Sequence, residues 1–218
     1  MSSETKKVFN FLQDTFSQGK LLQTIIQPFK CCSVDINTGK PLVGSQIKCI
    51  NFDHLTKWFY RTSPPHSADS LTFAGNVIYL IEFKAGDQVR DEPKREKLIA
   101  GVSQKINDSA ETLNKNVFTK IPGFQKSKAK LRFYLVVDDT KMGITPIAEV
   151  MASLASPAAA TNPSLKLLID NVLPNLKKNI ANEEYYEKID IWYSSTFDSE
   201  LQRYHIVDVE KTFIETLK

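Results

Sequence analysis

Two short apolar runs joined by Gly75-Asn76 constrain the fold of this chain most, because they predict a tight β-hairpin. Glycine can take the positive φ that a two-residue hairpin loop needs. With this loop, continuing the strand pairing outward places Asp69 opposite Glu82. Directly opposed residues lie on the same face of a sheet, with Cβ atoms about 5 Å apart. The sequence therefore predicts two carboxylates side by side at the open end of a hairpin.

Lys84 belongs to the same predicted cluster, because alternate strand residues share a face and Lys84 follows Glu82 by two positions. Two facing carboxylates repel each other, and a divalent cation between them would remove that penalty. A lone Glu-x-Lys triplet at a strand end is more often a solvated salt bridge. Here, however, Val77–Phe83 is apolar on both faces, which predicts a central strand covered on both sides. The charges would then lie at the rim of a buried sheet, where a metal site is the better interpretation.

The order Asp69-x12-Glu82-x-Lys84 across a hairpin, followed by a long helix and another apolar strand, resembles the PD-(D/E)xK nuclease superfamily. The segment ADSLTFAGNVIYLIEFKAG is similar to the corresponding part of archaeal Holliday junction resolvases, although Ala68 stands where that family usually has proline. The resemblance implies a restriction-endonuclease-like αβββαβ core. It also implies Mg²⁺ or Mn²⁺ bound by Asp69, Glu82 and the Phe83 carbonyl, and a homodimer.

The remaining patterns predict an α/β protein with a mixed sheet. Apolar residues repeat at three- and four-residue steps from Lys94 to Val117, which predicts a helix crossing back to a parallel strand at Leu131–Val137. Further expected helices are Lys6–Leu22, Phe52–Tyr60, Thr145–Leu154, Ser164–Ala181 and Lys211–Lys218. Further β-prone runs are Gln23–Ser33, Ser45–Asn51, Glu187–Ser194 and His205–Val209. We interpret the chain as one domain, with a core at about 46–140, a lead-in at 1–45 and a C-terminal extension of further helices and strands at 141–218.

Other charged residues are candidates to act with this cluster. In this superfamily an acid from an upstream helix often joins the metal site; Asp53 and Glu4 are the candidates, although a helix cap is the favoured interpretation of Asp53. On the crossover helix Gln104 points away from the apolar face and Lys105 lies at its edge, so Lys105 is the better candidate of the two to reach the site. An ordinary surface lysine with no role in the site is the favoured alternative for Lys105. The loop before the next strand contains five basic residues and no acid: Lys120, Lys126, Lys128, Lys130 and Arg132.

The predicted nucleic-acid contacts are Lys105 and four basic residues of that loop, Lys126, Lys128, Lys130 and Arg132, because a basic loop near a metal site can bind phosphates. An ordinary solvated loop whose charges bind nothing is an equally weighted alternative.

Composition sets only broad limits on function. A net charge of +3 and a pI of about 8.6 permit a nucleic-acid partner without requiring one. Three cysteines without a CxxC pair favour reduced core thiols over a metal site or a disulfide framework. The sequence contains no apolar run of about 18 residues and no secretory signal, so we expect a soluble intracellular protein of the cytoplasm or nucleus with no membrane partner. Phosphate-binding loops, serine-hydrolase elbows and HExxH motifs are absent from the sequence.

These observations predict a metal-dependent endonuclease that hydrolyses phosphodiester bonds in nucleic acid, with DNA favoured over RNA. The metal would activate water, and Lys84 would orient that water or stabilise charge in the transition state. Two alternatives stay open. One is a non-catalytic module that keeps a nuclease-like sheet and binds nucleic acid or a protein. The other is a structural protein in which Asp69, Glu82 and Lys84 form only a salt-bridge cluster, which would leave one carboxylate poorly compensated.

Overall fold

The computed structural model describes residues 3–17, 22–144, 162–181 and 185–216. Within these residues the fold is α/β, with six strands in one mixed sheet whose spatial order follows the chain. The strands are β1 (Ile26–Pro28), β2 (Lys48–Asn51), β3 (Ser70–Ala74), β4 (Val77–Lys84), β5 (Lys130–Val137) and β6 (Tyr186–Tyr193). The pairs β1 with β2, β2 with β3 and β3 with β4 are antiparallel, whereas β4 with β5 and β5 with β6 pair parallel.

Helices cover both faces of this sheet. They are α1 (Ser3–Ser17), α2 (Leu22–Ile25), α3 (Phe29–Cys32), α4 (Phe52–Tyr60), α5 (Glu92–Asn116), α6 (Pro163–Leu167), α7 (Leu173–Lys178), α8 (Phe197–Arg203) and α9 (Val209–Thr216). A π-helical turn, Leu168–Val172, joins α6 to α7, and short 3₁₀ turns occur at Phe118–Lys120, Lys126–Lys128 and Ser194–Thr196. One apolar core lies between the sheet and helices that include α1, α4 and α5, and a second lies between the sheet and α3 and α8. The predicted burial of β4 on both faces is therefore confirmed.

The hairpin of β3 and β4 has the register expected from the sequence. Ala74 pairs with Val77, and the ladder continues outward to the pair of Ser70 with Ile81. Gly75 has a φ of 56°, which a residue with a Cβ rarely adopts. The position of this glycine therefore sets the register that brings residues 69 and 82 towards each other.

Helix α5 forms the expected crossover to a parallel strand. Asp91 caps its start by accepting a hydrogen bond from the Lys94 backbone N–H, and Pro93 occupies the first turn. Leu98, Val102 and Ile106 are buried against the sheet. The chain then enters β5, which pairs in parallel with β4 along its whole length up to Lys84.

Some expected elements differ in the structure. Only Ile26–Pro28 is a strand within the β-prone run Gln23–Ser33, because helices flank it on both sides. His205–Val209 is not a strand: the Val207 N–H donates to the Phe73 carbonyl at 3.0 Å, and Asp208 caps α9 through the Lys211 N–H at 3.1 Å.

Of the helix expected at Lys6–Leu22, residues up to Ser17 are helical and Leu22 begins α2, while residues 18–21 lie outside the described ranges. The segment expected at Ser164–Ala181 is helical to Lys178. The helix expected at Thr145–Leu154 lies outside the described residues. Across the ranges given above, no helix combines the length and apolar character needed to cross a bilayer.

Candidate functional site

A cavity of about 490 Å³ lies at the end of β4, and its lining is rich in charged side chains. The charged residues are Asp35, Asp53, Asp69, Glu82, Lys84, Lys105 and Lys141. Part of the wall is a loop at residues 33–42, called here the rim loop, which is closed by a bridge between Val34 and Pro41. The cavity thus collects residues from β4, α5, the start of α4 and the segment before β3.

Backbone contacts fix the position of Asp69 at the open end of the hairpin. Its carbonyl accepts a hydrogen bond from the Phe52 N–H at 3.1 Å, which joins it to the start of α4. Its side-chain Oδ2 accepts from the Phe83 N–H at 2.7 Å. The side chain therefore accepts a hydrogen bond from a β4 amide that lies beyond the last backbone pair of the hairpin, Ser70 with Ile81.

One ammonium group contacts both predicted carboxylates. Lys105 Nζ lies 3.1 Å from Asp69 Oδ1 and 2.8 Å from Glu82 Oε2. Lys84 Nζ lies 2.7 Å from the other oxygen of Glu82, Oε1. Asp69 and Glu82 thus lie on one side of the sheet, as the hairpin register predicted, and both contact the Lys105 ammonium. The expectation that a salt-bridge cluster of Asp69, Glu82 and Lys84 would leave one carboxylate poorly compensated is wrong, because Lys105 supplies a second positive charge.

Burial shapes the electrostatics of this cluster. Glu82 is fully buried, and 19% of the Asp69 side chain is exposed. Burial and, next, the nearby Glu82 carboxylate raise the pKa of Asp69 above its usual value, against the opposing effects of Lys105 and the Phe83 amide. Burial alone would lower the pKa of Lys105, but the carboxylates of Glu82 and Asp69 raise it above its usual value. Strongly perturbed acids in a cleft are typical of functional sites, although structural ion pairs perturb pKa values too.

Asp53 lines the same cavity and is not the helix cap that its position favours. Asn51 caps α4 instead, since its side chain accepts from the His54 N–H at 3.0 Å. The Asp53 carboxylate accepts a hydrogen bond from the Ser67 hydroxyl. Its charge also contributes to the raised pKa of Asp69. The sequence holds the signal for this placement, because assigning the cap to Asn51 leaves Asp53 free to face the hairpin.

The other upstream acid, Glu4, lies elsewhere. It pairs with Lys7 Nζ at 2.8 Å and accepts from the Gln125 N–H at 2.9 Å, and it does not line the cavity. On α5, Gln104 is exposed and Lys105 reaches the carboxylates, in agreement with the helical periodicity of the sequence.

The basic loop is not brought to the cavity. Lys130 pairs with Val77 at the start of β4, whereas Lys84 pairs with Val137 at its end. At roughly 3.3 Å per strand residue, the length of β4 separates these two ends by about 20 Å. Lys130 and Arg132 pair with Glu187 at 2.5 and 2.8 Å, Lys126 lies over the Tyr185 ring, and Lys128 is exposed. Any contact of Lys126, Lys128, Lys130 and Arg132 with nucleic acid would therefore be remote from Asp69 and Glu82.

Across the described ranges, no three or more His, Cys, Asp or Glu side chains are grouped as a metal-binding cluster. Lys105 lies between the two carboxylates that meet. No protein-family model, curated protein or solved structure matches this chain.

Proposed function

We propose that this protein is an Mg²⁺- or Mn²⁺-dependent endonuclease with a restriction-endonuclease-like core, acting on nucleic acid and preferentially on DNA. The observation that carries the proposal is the shared contact of Asp69 and Glu82 with one ammonium nitrogen. A point that contacts both carboxylates is a position where a hard divalent cation finds the oxygen ligands that it prefers. Their order and spacing along the hairpin support the same reading through the resemblance to PD-(D/E)xK nucleases.

The residues around this point fit a divalent cation in two further ways. Glu82 Oε1 is buried and receives no hydrogen bond from any described residue, although Lys84 Nζ is close enough for an ion pair. The N–H and C=O of one strand residue point to the same side of the strand, so the Phe83 carbonyl faces Asp69 as its N–H does. Asp69, Glu82 and the Phe83 carbonyl would therefore hold the ion, and Asp53 is the nearby third acid.

Each residue then has a definable role. A bound Mg²⁺ or Mn²⁺ would supply a water of lowered pKa and polarise the scissile phosphate. Lys84 lines the cavity and has 29% of its side chain exposed, and it would orient the attacking water or stabilise charge on the phosphate in the transition state. Lys105 would withdraw from the position between the carboxylates, and its charge would remain available to the phosphate backbone.

A second candidate function is supported by the same lysine. Lys84 and Lys105 together balance Asp69 and Glu82 without any metal, which is also what a non-catalytic binding module with a salt-bridged sheet edge would require. The two functions differ in whether a divalent cation can displace Lys105.

A cleavage panel tests the proposal. Duplex, nicked, branched and single-stranded DNA, with matching RNA, would be incubated with the protein in Mg²⁺, Mn²⁺ or EDTA. We expect metal-dependent cleavage of at least one DNA substrate and its loss in Asp69→Asn, while substitution of the exposed Asp170 by Asn leaves it unchanged. Absence of cleavage on every substrate, together with no metal-dependent rise in melting temperature, would overturn the proposal and favour the binding module.

Asp53→Asn is expected to weaken Mn²⁺ binding by roughly 10- to 100-fold, the usual cost of losing a group that supports metal ligands. Isothermal titration calorimetry of the purified variant measures this change directly. Glu4→Gln is the matched control, because Glu4 is also an acid near a helix start but lies outside the cavity. Equal Mn²⁺ affinity in Asp53→Asn and wild type would remove Asp53 from the site.

A further inference from the structure

Two of the three cysteines meet beside the candidate site. Cys32, at the end of α3, is half-buried and lines the cavity, and Cys49 on β2 is fully buried. Their sulfur atoms lie 3.6 Å apart. Cys31, directly next to Cys32, is exposed. Neighbouring cysteines in one helix thus have different surroundings.

We propose that Cys32 and Cys49 are a site of reversible oxidation, which peroxide converts from two thiols to one disulfide. The two sulfurs must approach from 3.6 Å to the S–S bond length of about 2.0 Å. Backbone hydrogen bonds already hold α3 against the segment entering β2, from the Phe29 N–H to the Ile47 carbonyl at 3.1 Å and from the Lys30 N–H to the Ser45 carbonyl at 3.0 Å. Only a small movement of side chains is therefore needed.

The different burial of the two thiols assigns their order of reaction. Cys32 faces the cavity, so its thiolate attacks hydrogen peroxide, the O–O bond breaks, and Cys32 becomes a sulfenic acid as water is released. The Cys49 sulfur then attacks the Cys32 sulfur, the S–O bond breaks, and a second water leaves. Burial and the nearby Cys32 raise the pKa of the Cys49 thiol, which disfavours Cys49 as the first nucleophile, and its position 3.6 Å from the Cys32 sulfur places it for the second step. Two thiols are oxidised, and one peroxide is reduced to two waters.

The disulfide would close a loop of chain that contains the whole rim loop. Residues 33–37 of this segment line the cavity together with Asp69 and Glu82. Oxidation would therefore restrain one wall of the candidate site, and a thiol reductant would release it. The proposal concerns the thiols themselves and holds whether or not the cavity cleaves nucleic acid.

Peptide mapping tests the pairing. The native protein would be treated with hydrogen peroxide, its remaining thiols alkylated, and the product digested with trypsin at mildly acidic pH, where the scarcity of thiolate limits disulfide exchange. Trypsin separates residues 31–48 from residues 49–57, because Lys40 precedes proline and is not cut. We expect these two peptides to be joined in the wild type, with loss of two of the three thiols, and to separate on addition of dithiothreitol.

Cysteine variants show whether Cys32 or its neighbour Cys31 forms the disulfide with Cys49. Cys31→Ser is expected to retain the joined peptides, and Cys32→Ser to lose them while keeping the wild-type circular dichroism spectrum. The proposal is overturned if Cys31→Ser removes the link, if the link joins two molecules, or if native protein keeps all three thiols at a peroxide concentration that oxidises the urea-unfolded chain. Loss of the link in Cys32→Ala as well as Cys32→Ser supports the pairing independently of the replacing side chain.

Discussion

Glu82→Gln is expected to abolish metal-dependent cleavage by the purified protein while leaving its fold in place. Glutamine keeps the size of this fully buried side chain but removes the charge that a divalent cation requires. The loss should exceed the roughly 10- to 100-fold that removal of an outer-shell partner of a metal costs. Initial rates on the best substrate of the cleavage panel measure the effect, and circular dichroism checks the fold.

The conservative change matters for the interpretation of this experiment. Lys84 and Lys105 both contact Glu82, so an alanine at this position would leave two ammonium groups with less compensation and a cavity behind them. A loss of cleavage in Glu82→Ala would then mix catalysis with stability. Glu82→Gln with wild-type cleavage rates would contradict the proposed mechanism.

Lys105→Met is expected to destabilise the metal-free protein by on the order of 3 kcal/mol, because it leaves Asp69 and Glu82 close together without the cation that they share. Mn²⁺ should then restore much of this loss, since a ligand at 100 times its dissociation constant adds about 2.7 kcal/mol to the free energy of unfolding. Urea unfolding in EDTA and in Mn²⁺ measures both effects.

This variant separates the two candidate functions most sharply. Gln104→Met is the matched control, because it places the same side chain one residue away on the exposed side of α5. A metal site predicts that Mn²⁺ stabilises Lys105→Met far more than Gln104→Met. Equal responses of the two variants to Mn²⁺ would mean that Lys105 is a permanent structural partner of the carboxylates and that no cation replaces it.

The parts of the structure that follow local rules could be predicted from the sequence. Turn chemistry at Gly75, with strand pairs counted outward from it, predicted the hairpin register, and helical periodicity placed Lys105 rather than Gln104 towards the sheet. The apolar residues at His205–Val209 do not form a strand, because a single backbone hydrogen bond to Phe73 and the start of α9 replace a ladder there.

Features that depend on contacts between residues distant in sequence could not be predicted in the same way. The basic loop follows α5 along the chain, and parallel pairing puts Lys130 beside Val77 and therefore at the opposite end of β4 from Glu82. The rim loop has no motif that connects it to the carboxylates, and only the packing of α3 brings Cys32 to their cavity. Neither strand periodicity nor spacing carries that information.

The hydrogen bond from the Phe83 amide to Asp69 makes one backbone proton sensitive to whatever the carboxylate binds. A change of charge or ligand at Asp69 alters the electron density around that proton without any movement of the strands. The chemical shift of the Phe83 amide in a nuclear magnetic resonance spectrum therefore reports the protonation or ligand binding of Asp69. It can be followed in the intact protein before any substrate is known.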